Sequence, residues 1–356
     1  MSANLVVVSA VAEVAREVVT AGLLTDSPNA VVLRYDLTHA ADGSGSFRRR
    51  VHDMWGVISD ETGALEHACL SCMVREDLIA ALDILLSERD WTTVIIALPL
   101  ATTPEQMVWQ LNSACADTEI DAHVAGVVAG ITPDELTDDL FGDDLLRERG
   151  LAAGAVDERS VGEALGPMLD YADLIATTSA PTADELAVLR HVTNPSTELW
   201  CGLAALDAGS AAALRHDPVR ARERVDPFCV KHRGEPDSEA VWTLELHSEK
   251  PFHPRRLLDQ IELLGAGRIR SRGCFWVATR PNQACVWDGA DGQLSIGGLG
   301  GWGSRRPVTR LVVTGLDPRD RDRVRRAFHD VVLTSHEASG DHHQWQFDDG
   351  LDAWLG

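Results

Sequence analysis

Apolar residues fall in two different rhythms along this chain. Before residue 206 they come as short unbroken runs: Asn4–Ser9, Val31–Tyr35, Trp91–Leu98, Ala122–Ile131 and Leu174–Thr177. Such runs are too short for helices, and too continuous for strands that keep one face in water. Between them lie stretches with helical spacing. One follows the first run as far as Leu24, and the others span Met73–Leu86, Pro104–Cys115 and Thr182–His191. In Met73–Leu86 the stripe is Val74, Leu78, Ala81, Leu82 and Leu85. Runs alternating with helices predict an α/β fold, a parallel sheet covered by helices on both faces. Asp42–Phe47 reads as a polar loop, followed by Arg48–Arg50 and another apolar segment.

Beyond residue 237 the rhythm changes. Val241–His247 alternates, Pro254–Leu264 and Asp320–Val332 have helical spacing, and Cys274–Thr279, Ala284–Trp287 and Arg310–Thr314 read as strands. Asp291-Gly292 suits a hairpin turn, and Gly297–Gly303 is glycine-rich. This predicts a small α+β domain. Residues 206–237, rich in Ala, Arg, Asp and Pro, read as a linker, so the expected division is 1–205, 206–237 and 238–356.

Composition narrows the class. An apolar content of 45% with 24% charged residues is that of a water-soluble chain long enough for two cores. The longest apolar runs are too short to span a bilayer, and Met1–Val8 lacks a basic n-region, so it reads as a strand and not a signal peptide. Seven cysteines without a framework pattern predict a reducing cytoplasm. A net charge of −23 argues against binding bulk nucleic acid, and no sequence-specific contact to it is expected. Residues 251–335 are locally basic, 14 Arg or Lys against 8 Asp or Glu. There Arg319, Arg321, Arg323, Arg325 and Arg326 interleave with Asp317, Asp320 and Asp322, the pattern of a solvated helix face.

The chemistry concentrates in His67-Ala68-Cys69-Leu70-Ser71-Cys72. A C-x-x-C at a helix start meets free N–H groups and positive potential, which favour thiolate and hence zinc binding. Cys69 and Cys72 are the expected ligands, with His67 as a third; two half-buried cysteines with no metal are the plainer alternative. Cys274 and Cys285 sit in strand-like runs and read as core. His253, between two prolines, reads equally as a turn-holding residue or a ligand. His342 and His343 read as a solvent-exposed pair.

Cys69-Leu70-Ser71-Cys72-Met73-Val74-Arg75-Glu76-Asp77-Leu78 resembles the C-x-C-C-T-x-R-x-D-L segment of CobW-type P-loop GTPases, nucleotide-dependent metal chaperones or insertases. Cys69 and Cys72 fall on its first and third cysteines, with Ser71 in place of the middle one. The likeness continues in Pro251-Phe252-His253-Pro254-Arg255-Arg256-Leu257, similar to the P-F-H-P-x-R opening of the family's C-terminal domain. Arg270–Pro281 is similar to its R-x-K-G-F-x-W-x-A-T-R-P core, and Val313–Asp317 and Asp348–Trp354 also resemble segments of the family. The resemblance implies that the first domain is P-loop-NTPase-like and the second CobW C-terminal-like.

Three nucleotide motifs of that family are eroded here. Against T-G-F-x-G-x-G-K-T the chain reads Ser9-Ala10-Val11-Ala12-Glu13-Val14-Ala15-Arg16-Glu17, with no glycine. A phosphate cradle needs glycines for its turn, a lysine for the phosphates and a hydroxyl for Mg²⁺. E-T-T-G-x-x-D-P becomes Ala97–Pro104, and N-K-x-D becomes Thr178-Ser179-Ala180-Pro181. No nucleotide cofactor and no catalytic residue are therefore expected. The family's degenerate actinobacterial members share the C-x-S-C and the eroded loop. Likeness to them implies a non-enzymatic, zinc-responsive adaptor, associated with the ribosome and recruiting a hibernation-promoting factor when zinc is scarce. The alternatives are a GTP-dependent zinc metallochaperone with a divergent pocket, and a simple metal store or sensor.

Overall fold

The computed structural model describes residues 2–25, 27, 29–39, 45–65, 70–117, 120–154, 157–206, 208–290, 292–339 and 349–355. It divides into two compact units. The first holds 1–136, 144–182 and 196–222; the second holds 137–143, 183–195 and 223–356.

The first unit is an eight-stranded sheet. Its strands are β1 (Ala3–Ser9), β2 (Ala30–His39), β3 (Gly45–Asp53), β4 (Gly56–Leu65), β5 (Thr93–Ala97), β6 (Ala122–Ile131), β7 (Leu174–Thr177) and β8 (Glu198–Trp200), ordered β4-β3-β2-β5-β1-β6-β7-β8. Strands β2, β5, β1, β6, β7 and β8 pair in parallel, as the unbroken apolar runs require. Val6, Val8, Val32, Ile95 and Val128 are core residues of this sheet. The expected polar loop at Asp42–Phe47 differs: Gly45–Phe47 already belongs to β3, which pairs antiparallel with both β2 and β4. The signal was hidden because the alternation in β3 is carried by arginines. Phe47 and Val51 are buried on one face, while Arg48 and Arg50 on the other reach Asp60 of β4.

The helices are α1 (Glu13–Thr25), α2 (Leu70–Glu88), α3 (Glu105–Ala116), α4 (Leu136–Phe141), α5 (Val161–Tyr171), α6 (Ala183–Val192), α7 (Ala208–Ala213) and α8 (Pro218–Val225). Helix α5 was not expected. Its start is nonetheless written in Ser160-Val161-Gly162-Glu163, a capping box in which Ser160 and Glu163 satisfy each other's backbone N–H. Within the stretch expected to be linker, Leu206 and Ala211 are buried in the sheet's core and Leu214 packs against it. That packing uses the small residues Gly22 and Gly126, where an added Cβ would lie 2.6 Å from Leu206 Cδ1 and from Leu214 Cδ1 respectively.

The second unit is built on a five-stranded antiparallel sheet. Its strands are β9 (Trp242–Ser248), β10 (Ile269–Phe275), β11 (Gln283–Ala290), β12 (Gln293–Gly301) and β13 (Thr309–Gly315), ordered β12-β11-β10-β13-β9. Helices α9 (Pro254–Gly265) and α10 (Pro318–Val331) pack on it, followed by α11 (Ser335–Ala338) and α12 (Asp352–Leu355). Strand β10 begins earlier than its apolar run, because Arg270 inside it is matched by Asp288 on β11. The glycine-rich stretch is strand to Gly301, since pairing with β11 needs only its backbone. No helix among the described residues is long and apolar enough to cross a membrane.

Candidate functional site

Three places carry the motifs read from the sequence: the start of α2, the turn between β1 and α1, and the core of the second unit. His67 and Cys69 lie outside the described residues. Cys72 is in the first turn of α2, and its side chain also lies outside them. The described part of α2 keeps the predicted stripe, with Leu78, Ala81, Leu82 and Leu85 buried. The familial Asp77 has a definite task there. Its carboxylate accepts a hydrogen bond from Tyr35 Oη at 2.6 Å and from Arg49 Nη1 at 2.7 Å, which ties α2 to β2 and β3. Burial first, and then the bond to Asp77, push the Tyr35 phenol far above its ordinary range, so it remains a donor.

The other described cysteines are of a different kind. Cys274 and Cys285 are buried, and burial pushes their thiols up to about 11 and about 12. Cys115 and Cys229 are raised by the same cause. Thiols held protonated are poor zinc ligands. Among the described residues no group of three His, Cys, Asp or Glu is arranged to hold a metal.

The turn between β1 and α1 is occupied from within. Only Ala10, Val11 and Ala12 separate the two elements, and none of residues 9–17 has a positive φ. An anion-binding nest alternates right- and left-handed residues, so this backbone does not form one. Arg16, in the register of the family's lysine, is 1% exposed. Its Nη1 donates to the carbonyls of Tyr35 and Leu98, each at 3.2 Å, and its Nη2 to Asp36 Oδ1 at 2.6 Å. Arg34 donates to Asp36 Oδ2 at 2.7 Å and to Glu13 Oε1 at 3.2 Å, and pairs with Glu17. Burial alone would raise the Asp36 carboxyl, but Arg34 and Arg16 hold it below its usual range. Glu13 and Glu17, the residues foreign to a phosphate cradle, are thus engaged by an arginine of β2. At the start of the next loop Ala101, at φ 57°, donates its N–H to Ala10 O at 3.0 Å.

The motifs of the second unit are structural in detail. Phe252 is fully buried, its ring 5.5 Å from Phe275 and 5.7 Å from Phe328. His253 caps α9, its Nδ1 accepting from the Arg256 N–H at 3.4 Å, and Pro254 supplies the first helical position. Burial and the nearby Arg256 lower the imidazole below its ordinary value, which keeps it a neutral acceptor. Gly273 has φ 153°, and an added Cβ would sit 1.9 Å from Arg310 O on β13. Thr279 and Arg280 hold Asp349 at 2.6 and 3.0 Å, which fastens the closing segment. On α10, Arg319, Arg323 and Arg325 each pair with an aspartate on or beside the helix, and Arg321 pairs with Asp237. The interleaved charges satisfy one another.

Residues 241–332 match the model of the cobalamin synthesis protein cobW C-terminal domain. The chain is 27% identical to the zinc chaperone Rv0106 of Mycobacterium tuberculosis over 315 residues, covering 83% of this chain and 75% of that one. It is 22% identical to the zinc-regulated GTPase metalloprotein activator 1 of Dictyostelium discoideum, over 67% of this chain and 54% of that one. Among solved structures, a Zn(II)-bound YjiA GTPase from E. coli aligns over 94% of this chain and all of its own, with a TM-score of 0.35 and 11% identity.

Proposed function

We propose that this chain is a zinc-linked CobW-type protein that acts without nucleotide, as an adaptor and not an enzyme. The observation that carries the reading is Arg16. In the position of a phosphate-binding lysine, its guanidinium is committed to two carbonyls and Asp36, while Arg34 engages Glu13 and Glu17 beside it. Binding a triphosphate would require breaking that network and bringing phosphate against two carboxylates, at a cost of several kcal/mol at moderate dielectric. Calorimetry with Mg²⁺-GTP and Mg²⁺-ATP tests this. No binding is expected at physiological nucleotide concentration; micromolar affinity with turnover would favour a GTP-dependent zinc metallochaperone instead.

The zinc side of the proposal draws on the names of the relatives and on the donor set. Cys69 and Cys72 offer two sulfurs and His67 one nitrogen, which leaves a tetrahedral ion one position for water or a partner's ligand. Zinc affinity then falls as pH drops, because the thiols must lose protons to bind.

The adaptor's partner, in this reading, is the ribosome or a ribosome-bound hibernation factor in zinc-starved cells. The support is the likeness to degenerate family members together with a two-domain scaffold whose nucleotide motifs are eroded. An acidic chain is steered toward a basic protein surface, and the attraction weakens with salt. Sedimentation of tagged protein with ribosomes from zinc-limited and zinc-replete cells tests it. Cosedimentation is expected under limitation; absence from ribosomal fractions in both states, even after crosslinking, leaves only a metal carrier.

A further inference from the structure

Among the described residues the sheet of the second unit ends on β12, which pairs with β11 on one side and has no strand on the other. An edge strand displays backbone N–H and C=O groups that accept a further strand, and proteins blunt such edges with Lys, Pro or inward charges. β12, Gln-Leu-Ser-Ile-Gly-Gly-Leu-Gly-Gly, has none of these, and its one irregularity, a bulge at Leu299, leaves Gln293–Gly298 in regular register. Gly297, Gly298, Gly300 and Gly301 also leave the backbone without side chains to screen it.

Beside this edge lies a hollow of about 200 Å³, bounded by β12, the end of α9 and α12. Its walls are Ile261, Gly265, Leu294, Ile296 and Trp354, the last 43% exposed. At about 30 Å³ for each water, it has room for one large apolar side chain. Leu294 and Ile296, two residues apart, face the same side of the sheet. A strand added along β12 would continue the pleat and send alternate side chains to that side.

Charge sets the rest. Glu262 lines the same hollow, and Asp259 is three residues before it on α9. Both are exposed, and neither has an ion pair among the described residues. A second copy of β12 carries no basic residue, so pairing edge to edge would leave both carboxylates unmatched.

We propose that this edge and hollow are a strand-addition site for an extended segment of a partner protein. That segment places an apolar side chain in the hollow and a Lys or Arg beside Glu262 and Asp259. Backbone pairing supplies affinity and the hollow selects the side chain. The site stands independently of the zinc and nucleotide readings.

Fluorescence anisotropy of short labelled peptides with the full chain tests it. One peptide carries Leu and Lys in turn at every second position with Thr between, so that both face the hollow side; one has Glu in place of Lys, and a third is the Leu–Lys peptide N-methylated at every second amide. The Leu–Lys peptide is expected to bind, the Leu–Glu peptide about fivefold more weakly, and the methylated one not at all. Glu262→Lys reverses the preference, whereas the same reversal at Asp134 in the first unit leaves it. Ala266→Phe, from an exposed position lining the hollow, blocks both charged peptides. Absence of saturable binding, or binding indifferent to methylation, overturns the proposal. An equal effect at Glu262 and Asp134 marks bulk charge and overturns it too. Concentration-dependent dimerisation lost in Ala266→Phe would make the occupant a second copy instead.

Discussion

Replacing Arg16 by methionine keeps the apolar stem of the side chain and removes its guanidinium. The Tyr35 and Leu98 carbonyls then lose a donor in a buried site, and Asp36 keeps only Arg34. Removing one partner of a buried pair costs about 3–5 kcal/mol. Asp36 retains a second arginine and is 30% exposed, so the lower end, about 3 kcal/mol, is expected. By the same reasoning Arg16→Lys keeps the charge but not the fork that reaches three acceptors, and should cost about half as much. The contribution also depends on pH with a definite sign. Asp36 is held below its ordinary value of 3.8 in the folded chain. Its share of stability is therefore present above that value and is lost as pH falls through the depressed folded value. The difference between wild type and Arg16→Met should accordingly narrow in acid. Hydrogen exchange read on peptides from β1, β2 and β5 is the suitable assay, because it reports each unit separately. A loss of about 3 kcal/mol raises exchange about 150-fold where it is governed by opening of this unit. Exchange in all three strands within threefold of wild type would refute the claim that Arg16 ties them together.

Three further outcomes follow from other parts of the molecule. Gly273→Ala brings a methyl to 1.9 Å from Arg310 O, so β10 and β13 must separate; a loss of more than about 3 kcal/mol is expected in thermal unfolding, and a soluble variant with unchanged melting would contradict the geometry. Asp77→Asn weakens the bonds from Tyr35 and Arg49 and should cost about 2 kcal/mol, seen as faster exchange in α2 with β9–β13 unaffected. Cys69→Ala and Cys72→Ala should each lower zinc stoichiometry measured by elemental analysis, whereas Cys285→Ala leaves it unchanged; equal metal content in all three would move the site elsewhere.

The parts legible in the sequence were those whose physics is local. Unbroken apolar runs identified β1, β5, β6 and β7, because a parallel strand covered on both faces has no position left for a polar residue. The stripe Leu78, Ala81, Leu82 and Leu85 identified α2, and the spacing of Pro254–Leu264 identified α9, whereas His253, open between a turn-holding residue and a ligand, is shown to be the cap by its bond to the Arg256 N–H. Strand β3 was missed for the opposite reason. Asp42–Phe47 read as a polar loop and Arg48–Arg50 showed no apolar run, and the pairing of those arginines appears only when Asp60, Glu61 and Asp77 are brought alongside. The turn between β1 and α1 shows the same division. That Ser9–Glu17 lacks glycine was plain from the residues alone. That Arg16 turns inward to Leu98, 82 positions away, was decided only when β1, β2 and β5 lay side by side. Spacing along a chain reports its repeats and its caps; the partner of a charge is chosen by whatever the fold brings within 3 Å of it.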